Sequence, residues 1–176
     1  MIKKKAIFLD RDGVINEVLS KRVKFVNKPS DFYLLDGVGE AIKRLNEMDY
    51  KVFVVTNQGG VGLGYMEEAA LHKVHEKMES DLSAYGATID DVAYCPHKPH
   101  EGCACRKPEP QMIIDLSNKY DIELSESYMV GDREPDIEAG KKAGTKTVLV
   151  GNRDKEKVDA DYYFNDLLIF STWLIG

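Results

Sequence analysis

Short apolar runs alternate with longer amphipathic stretches along this chain, and that alternation limits the folds it can adopt. Runs rich in β-branched and aromatic residues predict buried strands at 5–10, 51–56, 92–95, 127–132, 147–150 and 162–164. Apolar residues at helical spacing predict helices at 37–49, 67–85, 110–120, 135–143 and 167–173. Strands that alternate with helices predict an α/β fold, in which helices cover both faces of a mainly parallel sheet.

The size and composition of the chain suit one globular domain over residues 1–176. Of its 176 residues, 43% are hydrophobic, which allows a substantial core. The net charge of −6 argues against general attraction to nucleic acid or to an anionic membrane. No apolar run approaches the roughly 18 residues of a membrane span, and the basic N-terminal segment does not resemble a signal peptide. We therefore expect a cytoplasmic protein.

Two acidic residues directly follow the first predicted strand, in the sequence Asp10-Arg11-Asp12-Gly13. One carboxylate can attack phosphorus, and the other can donate a proton to the leaving oxygen and then activate water. Both steps require Mg²⁺ to hold an anionic nucleophile against an anionic phosphate. The alternative is an ordinary turn in which the aspartates cap backbone groups beside a convenient glycine.

Polar residues also end two further predicted strands. The run Thr56-Asn57-Gln58-Gly59 offers a hydroxyl and backbone N–H groups that can hold phosphoryl oxygens. Asp132 and Asp136 add carboxylates, and Lys107 can neutralise phosphate charge. Because ligands of parallel sheets bind outside the carboxyl ends of the strands, we expect the strand-end residues to converge on one site.

Four motifs, in order and over nearly the whole chain, resemble those of the haloacid dehalogenase superfamily. They are Asp10-Arg11-Asp12-Gly13, Thr56-Asn57, Lys107-Pro108 and Gly131-Asp132 followed by Asp136. The resemblance implies a Rossmann-like three-layer sandwich. It also implies that Asp10 is the nucleophile and Asp12 the general acid and base. Asp12 separates the phosphatases of the superfamily from its dehalogenases, which lack an acid at that position.

The same resemblance implies supporting roles for other motif residues. Thr56 and Lys107 would stabilise the phosphoryl group. Asp10, the backbone carbonyl of Asp12 and the carboxylate of Asp132 would bind Mg²⁺. Asp136 would orient Lys107 or a metal-bound water.

Three cysteines and one histidine cluster in a short segment. They are Cys95, His97, Cys103 and Cys105, with five residues between His97 and Cys103. In a reducing compartment this cluster indicates a metal rather than disulfides, and four such ligands suit a closed, structural Zn²⁺ site. Zinc would then fix Arg106 and Lys107 over the active site. The alternatives are buried thiols in two unrelated turns, or His100 as a rival ligand.

The segment from Cys95 to Pro108 resembles two related groups of small, capless phosphatases. One group acts on D-glycero-D-manno-heptose 1,7-bisphosphate, and the other on histidinol phosphate. Asn16 and the absence of an aspartate after Gln58 favour the heptose group, whose members remove the C7 phosphate. A catalytically silent phosphosugar-binding protein is a further alternative, although no catalytic position has been lost.

A small phosphorylated metabolite is therefore the expected partner, and a sugar bisphosphate needs a second anion site. Arg106 fits that site by resemblance. Lys21, Arg22 and Lys24 add to it or form an ordinary solvated charge run; the sequence favours neither. Further predicted substrate-binding residues are Arg11, Asn57 and Gln58. The resemblance implies a monomer, and the α or β anomer of the substrate is left open.

Overall fold

A computed structural model describes residues 2–176, which form one six-stranded sheet with helices on both faces. The strands are β1 (Ala6–Leu9), β2 (Lys51–Asn57), β3 (Asp91–Cys95), β4 (Tyr128–Gly131), β5 (Lys146–Val150) and β6 (Tyr162–Phe164). The helices are α1 (Val38–Glu47), α2 (Gly59–Gly62), α3 (Glu68–Ser83), α4 (Gln111–Tyr120), α5 (Glu134–Ala143) and α6 (Leu167–Ile175). None of the helices within residues 2–176 has the length and apolar character to cross a membrane.

The order of the strands creates a crevice at the middle of the sheet. All six strands are parallel, in the order β3-β2-β1-β4-β5-β6, so the sheet is wholly rather than mainly parallel. The chain builds outward from β1 on one side and then returns to place β4 on the other side. Ligands bind at the carboxyl ends of the strands where the order reverses in this way. Asp10 leaves β1 there, Asn57 ends β2 and Asp132 leaves β4.

Apolar side chains cover both faces of the central strand, which explains why its sequence is uninterrupted rather than alternating. Ile7 and Leu9 of β1 face one core cluster, which includes residues from α1, α3 and α6. Ala6 and Phe8 face the opposite cluster, with residues from α4 and α5. The three-layer arrangement follows from this period of two along a buried strand.

The predicted strands and helices are confirmed in type and order, with ends that differ by one or two residues. The exception is the short helix α2, which is not among the predicted helices. The Gly62 N–H donates to the Pro96 carbonyl at 2.9 Å. A Cβ at Gly62 would lie 2.7 Å from the backbone nitrogen of Lys98, so only glycine permits this approach. The short helix thereby supports the cysteine-rich segment.

We predict that Phe8→Ala strongly destabilises the fold. Phe8 is fully buried and its ring centroid lies 5.5 Å from that of Phe53. Removing the ring should lower the free energy of unfolding by about 3–5 kcal/mol, measured by denaturant titration. Ile175→Ala is the control, because Ile175 is exposed and should change stability by less than about 1 kcal/mol. Equal effects of the two changes would contradict the assignment of Phe8 to the core.

Candidate active site

A buried lysine joins two aspartates at the crevice. Lys107 Nζ lies 2.8 Å from Asp10 Oδ1 and 2.6 Å from Asp136 Oδ1, and it donates to the Val55 carbonyl at 2.9 Å. Burial by itself lowers the pKa of Lys107, but the two carboxylates outweigh it and raise the pKa above its ordinary value. The ammonium is therefore charged, and three predicted site residues form one ion-paired unit.

A third carboxylate, from Asp132, completes an acidic cluster. One oxygen from each of Asp10, Asp132 and Asp136 lies within 4.8 Å of the others. Burial, followed by the charge of Asp136, raises the pKa of Asp10 well above its ordinary value and that of Asp132 to about 6. Within residues 2–176, Asp132 Oδ1 is buried without a hydrogen-bond partner. One ammonium does not balance three carboxylates, so the cluster fits a hard divalent cation such as Mg²⁺.

A glycine in the turn after β1 allows Asp132 to reach this cluster. Gly13 has a φ of +85°, and a Cβ there would lie 2.1 Å from Asp132 Oδ2. The Gly13 N–H donates to the Asn16 carbonyl at 2.9 Å, which closes the turn. Any larger residue would separate the aspartates that follow β1 from the one that follows β4.

Both carboxylate oxygens of Asp12 accept hydrogen bonds. Its Oδ1 accepts from Arg11 Nη2 at 2.8 Å and from Asn16 Nδ2 at 2.9 Å. Its Oδ2 accepts from Gln58 Nε2 at 3.2 Å. Burial opposes ionisation, but the Arg11 charge and these hydrogen bonds lower the pKa of Asp12 below its ordinary value. Asp12 is thus a carboxylate at neutral pH, and its side chain is 29% exposed toward solvent.

Arg11 is not positioned to contact a substrate. Its side chain is fully buried and is not part of the cavity lining. The guanidinium instead contacts Asp12 and, through Nη1, His75 Nε2 at 3.1 Å. The prediction that Arg11 binds substrate is therefore not supported, because the side chain leaves the turn toward α3. His75 is buried, as expected of a packing residue, whereas His72 on the same helix is exposed.

The residues at the end of β2 support their neighbours. The Asn57 side chain accepts from the Lys107 N–H at 2.9 Å and donates to the Lys107 carbonyl at 3.1 Å. Thr56 is fully buried, and its Oγ1 accepts from Gln58 Nε2 at 2.9 Å. Asn57 and Gln58 line the cavity, and Thr56 lies behind them. The β2 end thus connects Lys107 on one side with Asp12 on the other.

The four predicted zinc ligands lie together. Their ligand atoms are within 4.8 Å of one another, and His100 is not part of the group. His97 Nδ1 lies 3.3 Å from Cys95 Sγ and 3.2 Å from Cys105 Sγ. The sulfurs of Cys95 and Cys105 are also close enough to pair as a disulfide, which would leave Cys103 as a free thiol. Three sulfurs and one imidazole nitrogen are a donor set that suits tetrahedral Zn²⁺.

One cavity of about 570 Å³ contains both the carboxylates and several basic side chains. Its acidic and basic lining residues are Asp10, Asp12, Asp132, Asp136, Lys24, Arg106, Lys107, Arg133 and Arg153. Of the predicted charge run, only Lys24 lines this cavity; Lys21 does not, and Arg22 pairs with Glu17. The cavity therefore combines a buried acidic cluster with basic groups that can receive a second anion.

Two of these basic residues, Arg133 and Arg153, are not identified by the motifs. Both follow parallel strands: Arg133 comes two residues after β4, and Arg153 three residues after β5. The strand-end rule that finds Asp10 and Asp132 could have found them. Asp154 anchors the second of these loops, because its Oδ2 accepts from the Glu134 N–H at the start of α5 at 3.0 Å.

Comparison with known proteins gives consistent results. A HAD-hydrolase-like family model matches residues 104–169. The D-glycero-beta-D-manno-heptose-1,7-bisphosphate 7-phosphatase of Bordetella bronchiseptica is 40% identical over 83% of this chain and 80% of its own length. The D-glycero-alpha-D-manno-heptose-1,7-bisphosphate 7-phosphatase of Campylobacter jejuni is 36% identical over 94% of this chain and 93% of its own length.

A solved structure agrees over nearly the whole fold. The D,D-heptose 1,7-bisphosphate phosphatase of B. bronchiseptica, crystallised with magnesium and phosphate, superposes with a TM-score of 0.89 at 37% identity. The match covers 97% of this chain and 98% of that one. The chain belongs to the heptose 1,7-bisphosphate 7-phosphatase family of the haloacid dehalogenase superfamily.

Proposed function

We propose that this chain is a Mg²⁺-dependent phosphatase that removes the C7 phosphate of D-glycero-D-manno-heptose 1,7-bisphosphate. The ion-paired unit of Asp10, Lys107 and Asp136, with Asp12 in the same cavity, carries the proposal. Similarity to phosphatases of this sugar over nearly the full chain supports the choice of substrate. Relatives named for each anomer are similar to the chain, so both anomers are candidate substrates.

We assign Asp10 as the nucleophile and Asp12 as the general acid and base. A carboxylate oxygen of Asp10 bonds to phosphorus while the bond from phosphorus to O7 breaks. Asp12 takes up a proton from solvent when the phosphate anion binds beside it, and gives that proton to O7. A water then attacks the aspartyl phosphate, and Asp12 takes a proton from it. Inorganic phosphate leaves and the Asp10 carboxylate is restored. The low pKa of Asp12 suits the second step, which uses its carboxylate form.

Mg²⁺ would be held by Asp10, the backbone carbonyl of Asp12 and Asp132. When bound, it supplies positive charge that reduces repulsion between the nucleophile and the phosphate. The acidic cluster and the unpartnered Oδ1 of Asp132 support this assignment. Asp136 would help to position Asp132 and Lys107, since it accepts from the Asp132 N–H at 3.2 Å and pairs with the Lys107 ammonium.

The phosphoryl group would be stabilised by Lys107, which lines the cavity, whereas Thr56, predicted as a second donor, is fully buried and contacts Gln58 instead. The double hydrogen bond from Asn57 fixes the Lys107 backbone, which limits the positions that its ammonium can reach. Gln58 links Thr56 to Asp12 and lines the cavity, so it can contact both the phosphate and the general acid. Such fixed donors stabilise charge that develops in a transition state.

The phosphate that is not cleaved would bind to the basic part of the cavity. Arg106 donates only to the His97 carbonyl, at 3.4 Å, and has no carboxylate partner among the described residues. Arg133 and Arg153 line the same cavity and are exposed. Guanidinium groups with free donors bind phosphate well because they present paired N–H groups. We assign these three arginines, with Lys24 nearby, to the second phosphate.

The cysteine-rich segment would bind one structural Zn²⁺. The imidazole nitrogen that faces the sulfurs supports zinc over a disulfide, since a disulfide uses only two of the four clustered groups. Zinc would fix the backbone that leads directly into Arg106 and Lys107. Zinc thiolates suit a reducing compartment, and we propose a cytoplasmic monomer.

We expect the protein to hydrolyse heptose 1,7-bisphosphate with a higher kcat/KM than histidinol phosphate. The measurement is phosphate release in the presence of Mg²⁺, with each anomer of the bisphosphate assayed separately. A preference for histidinol phosphate would overturn the choice of substrate. Asp10→Asn is the control: turnover should fall by about 1,000-fold or more, because the amide cannot act as the nucleophile. Parental turnover in that variant would rule out the covalent mechanism.

We expect Arg106→Ala and Arg153→Ala to lower kcat/KM for the bisphosphate more than kcat/KM for a substrate with one phosphate. Loss of a charge-assisted contact to the second phosphate should lower kcat/KM for the bisphosphate by roughly tenfold or more. Heptose 7-phosphate lacks that phosphate, so its kcat/KM should change by less than about threefold. Lys155→Ala is the matched control, because Lys155 is in the Arg153 loop but does not line the cavity. Equal losses on both substrates would remove the assignment.

Metal and thiol analysis should separate zinc from a disulfide. We expect about one zinc per chain by elemental analysis, and three titratable thiols after denaturation with a chelator and without reductant. A disulfide between Cys95 and Cys105 would instead give one thiol and no zinc. Protein purified under reducing conditions that contains no zinc would refute the structural site.

A further inference from the structure

Arg11 is the largest fully buried side chain among the described residues. A guanidinium removed from water is costly unless its charge and its donors are matched. Its only carboxylate partner in the described structure is Asp12, reached at 2.8 Å through Nη2 and at 3.3 Å through Nε. The remaining terminal nitrogen, Nη1, meets His75 Nε2 at 3.1 Å.

His75 is held as a neutral acceptor for that contact. It lies on the buried face of α3, with its ring near Tyr94 at a centroid distance of 6.2 Å. Burial, and then the positive charge of Arg11, lower the pKa of His75 to about 3. A neutral imidazole that accepts at Nε2 carries its proton at Nδ1. The contact with Arg11 is therefore a hydrogen bond from guanidinium to imidazole.

This pair makes the two oxygens of Asp12 unequal. Oδ1 receives Arg11 Nη2 and Nε as well as Asn16 Nδ2, so its lone pairs are occupied. Oδ2 receives only Gln58 Nε2, at the longer distance of 3.2 Å. Proton exchange with a leaving group or a water is thus directed to Oδ2, and the carboxylate cannot rotate to exchange the two oxygens without breaking the Arg11 contacts.

We propose that His75 is a positioning residue for the general acid and base: it anchors Arg11, which saturates Oδ1 of Asp12 and leaves Oδ2 for proton transfer. The inference rests on the proposed function, because it concerns the same acid. His75 itself touches no substrate; it lies on a helix outside the cavity lining. Its effect should therefore appear in proton transfer rather than in binding.

The test compares His75→Leu with His75→Gln, whose side-chain oxygen can restore an acceptor near the position of Nε2. His72→Leu is the matched control, since His72 lies on the same helix and is exposed. Each variant is assayed for kcat and KM on heptose 1,7-bisphosphate, and for kcat/KM on p-nitrophenyl phosphate. The aryl leaving group needs little protonation, so it reports on phosphoryl transfer without the general acid.

We expect His75→Leu to lower kcat/KM for the sugar phosphate about tenfold with KM within about twofold, and to lower that for the aryl phosphate by less than about threefold. His75→Gln should recover most of the loss, and His72→Leu should match wild type. Equal losses on both substrates, or no recovery with glutamine, would reduce His75 to a packing residue and overturn the proposal. Parental activity of His75→Leu would do the same. An inactive wild-type protein would instead refute the proposed function.

Discussion

The ammonium of Lys107, buried between Asp10 and Asp136, is the interaction on which the rest of the site depends. Its positive charge offsets part of the desolvation and of the mutual repulsion that raise the pKa of Asp10 at this buried position. It also joins three separate parts of the chain: the end of β1, the segment after the cysteine cluster and the first turn of α5. The environment of the proposed nucleophile, Asp10, therefore forms only when the chain is folded.

The parallel sheet provides the frame for that assembly. Strands that run in one direction deliver their following loops to one edge, and the reversal of order around β1 opens a crevice there. Close approaches then refine the geometry. Gly13 allows the Asp132 carboxylate to approach the turn after β1, and Gly62 allows the cysteine-rich segment to approach α2. Two residues without side chains therefore help to set the positions of the acidic cluster and of the cysteine-rich segment. The geometry of the site depends on these close approaches to the backbone as much as on the reactive side chains.

The sequence predicted the element order and the residues at the strand ends, because burial on both faces and polar strand ends leave clear local patterns. It failed for Arg11, which sits between two site aspartates but turns into the core. The reason is that a turn does not reveal the direction of its side chains, and the buried acceptor, His75, is 64 residues away along the chain. Arg153 was missed for a related reason. The sequence does not distinguish a charged loop residue that lines the cavity from one that only contacts solvent.

The burial of Arg11 has a consequence for how this protein can change. Active-site residues are often replaced with a gain in stability, since their geometry serves chemistry at the expense of the fold. Asp12 is different, because it is also the counter-charge of a guanidinium with no access to water. Its loss would strand that charge in the core. A change to a silent binding protein that replaces Asp12 alone would therefore cost stability as well as activity, whereas joint replacement of Arg11 and Asp12 would leave no buried charge unpaired.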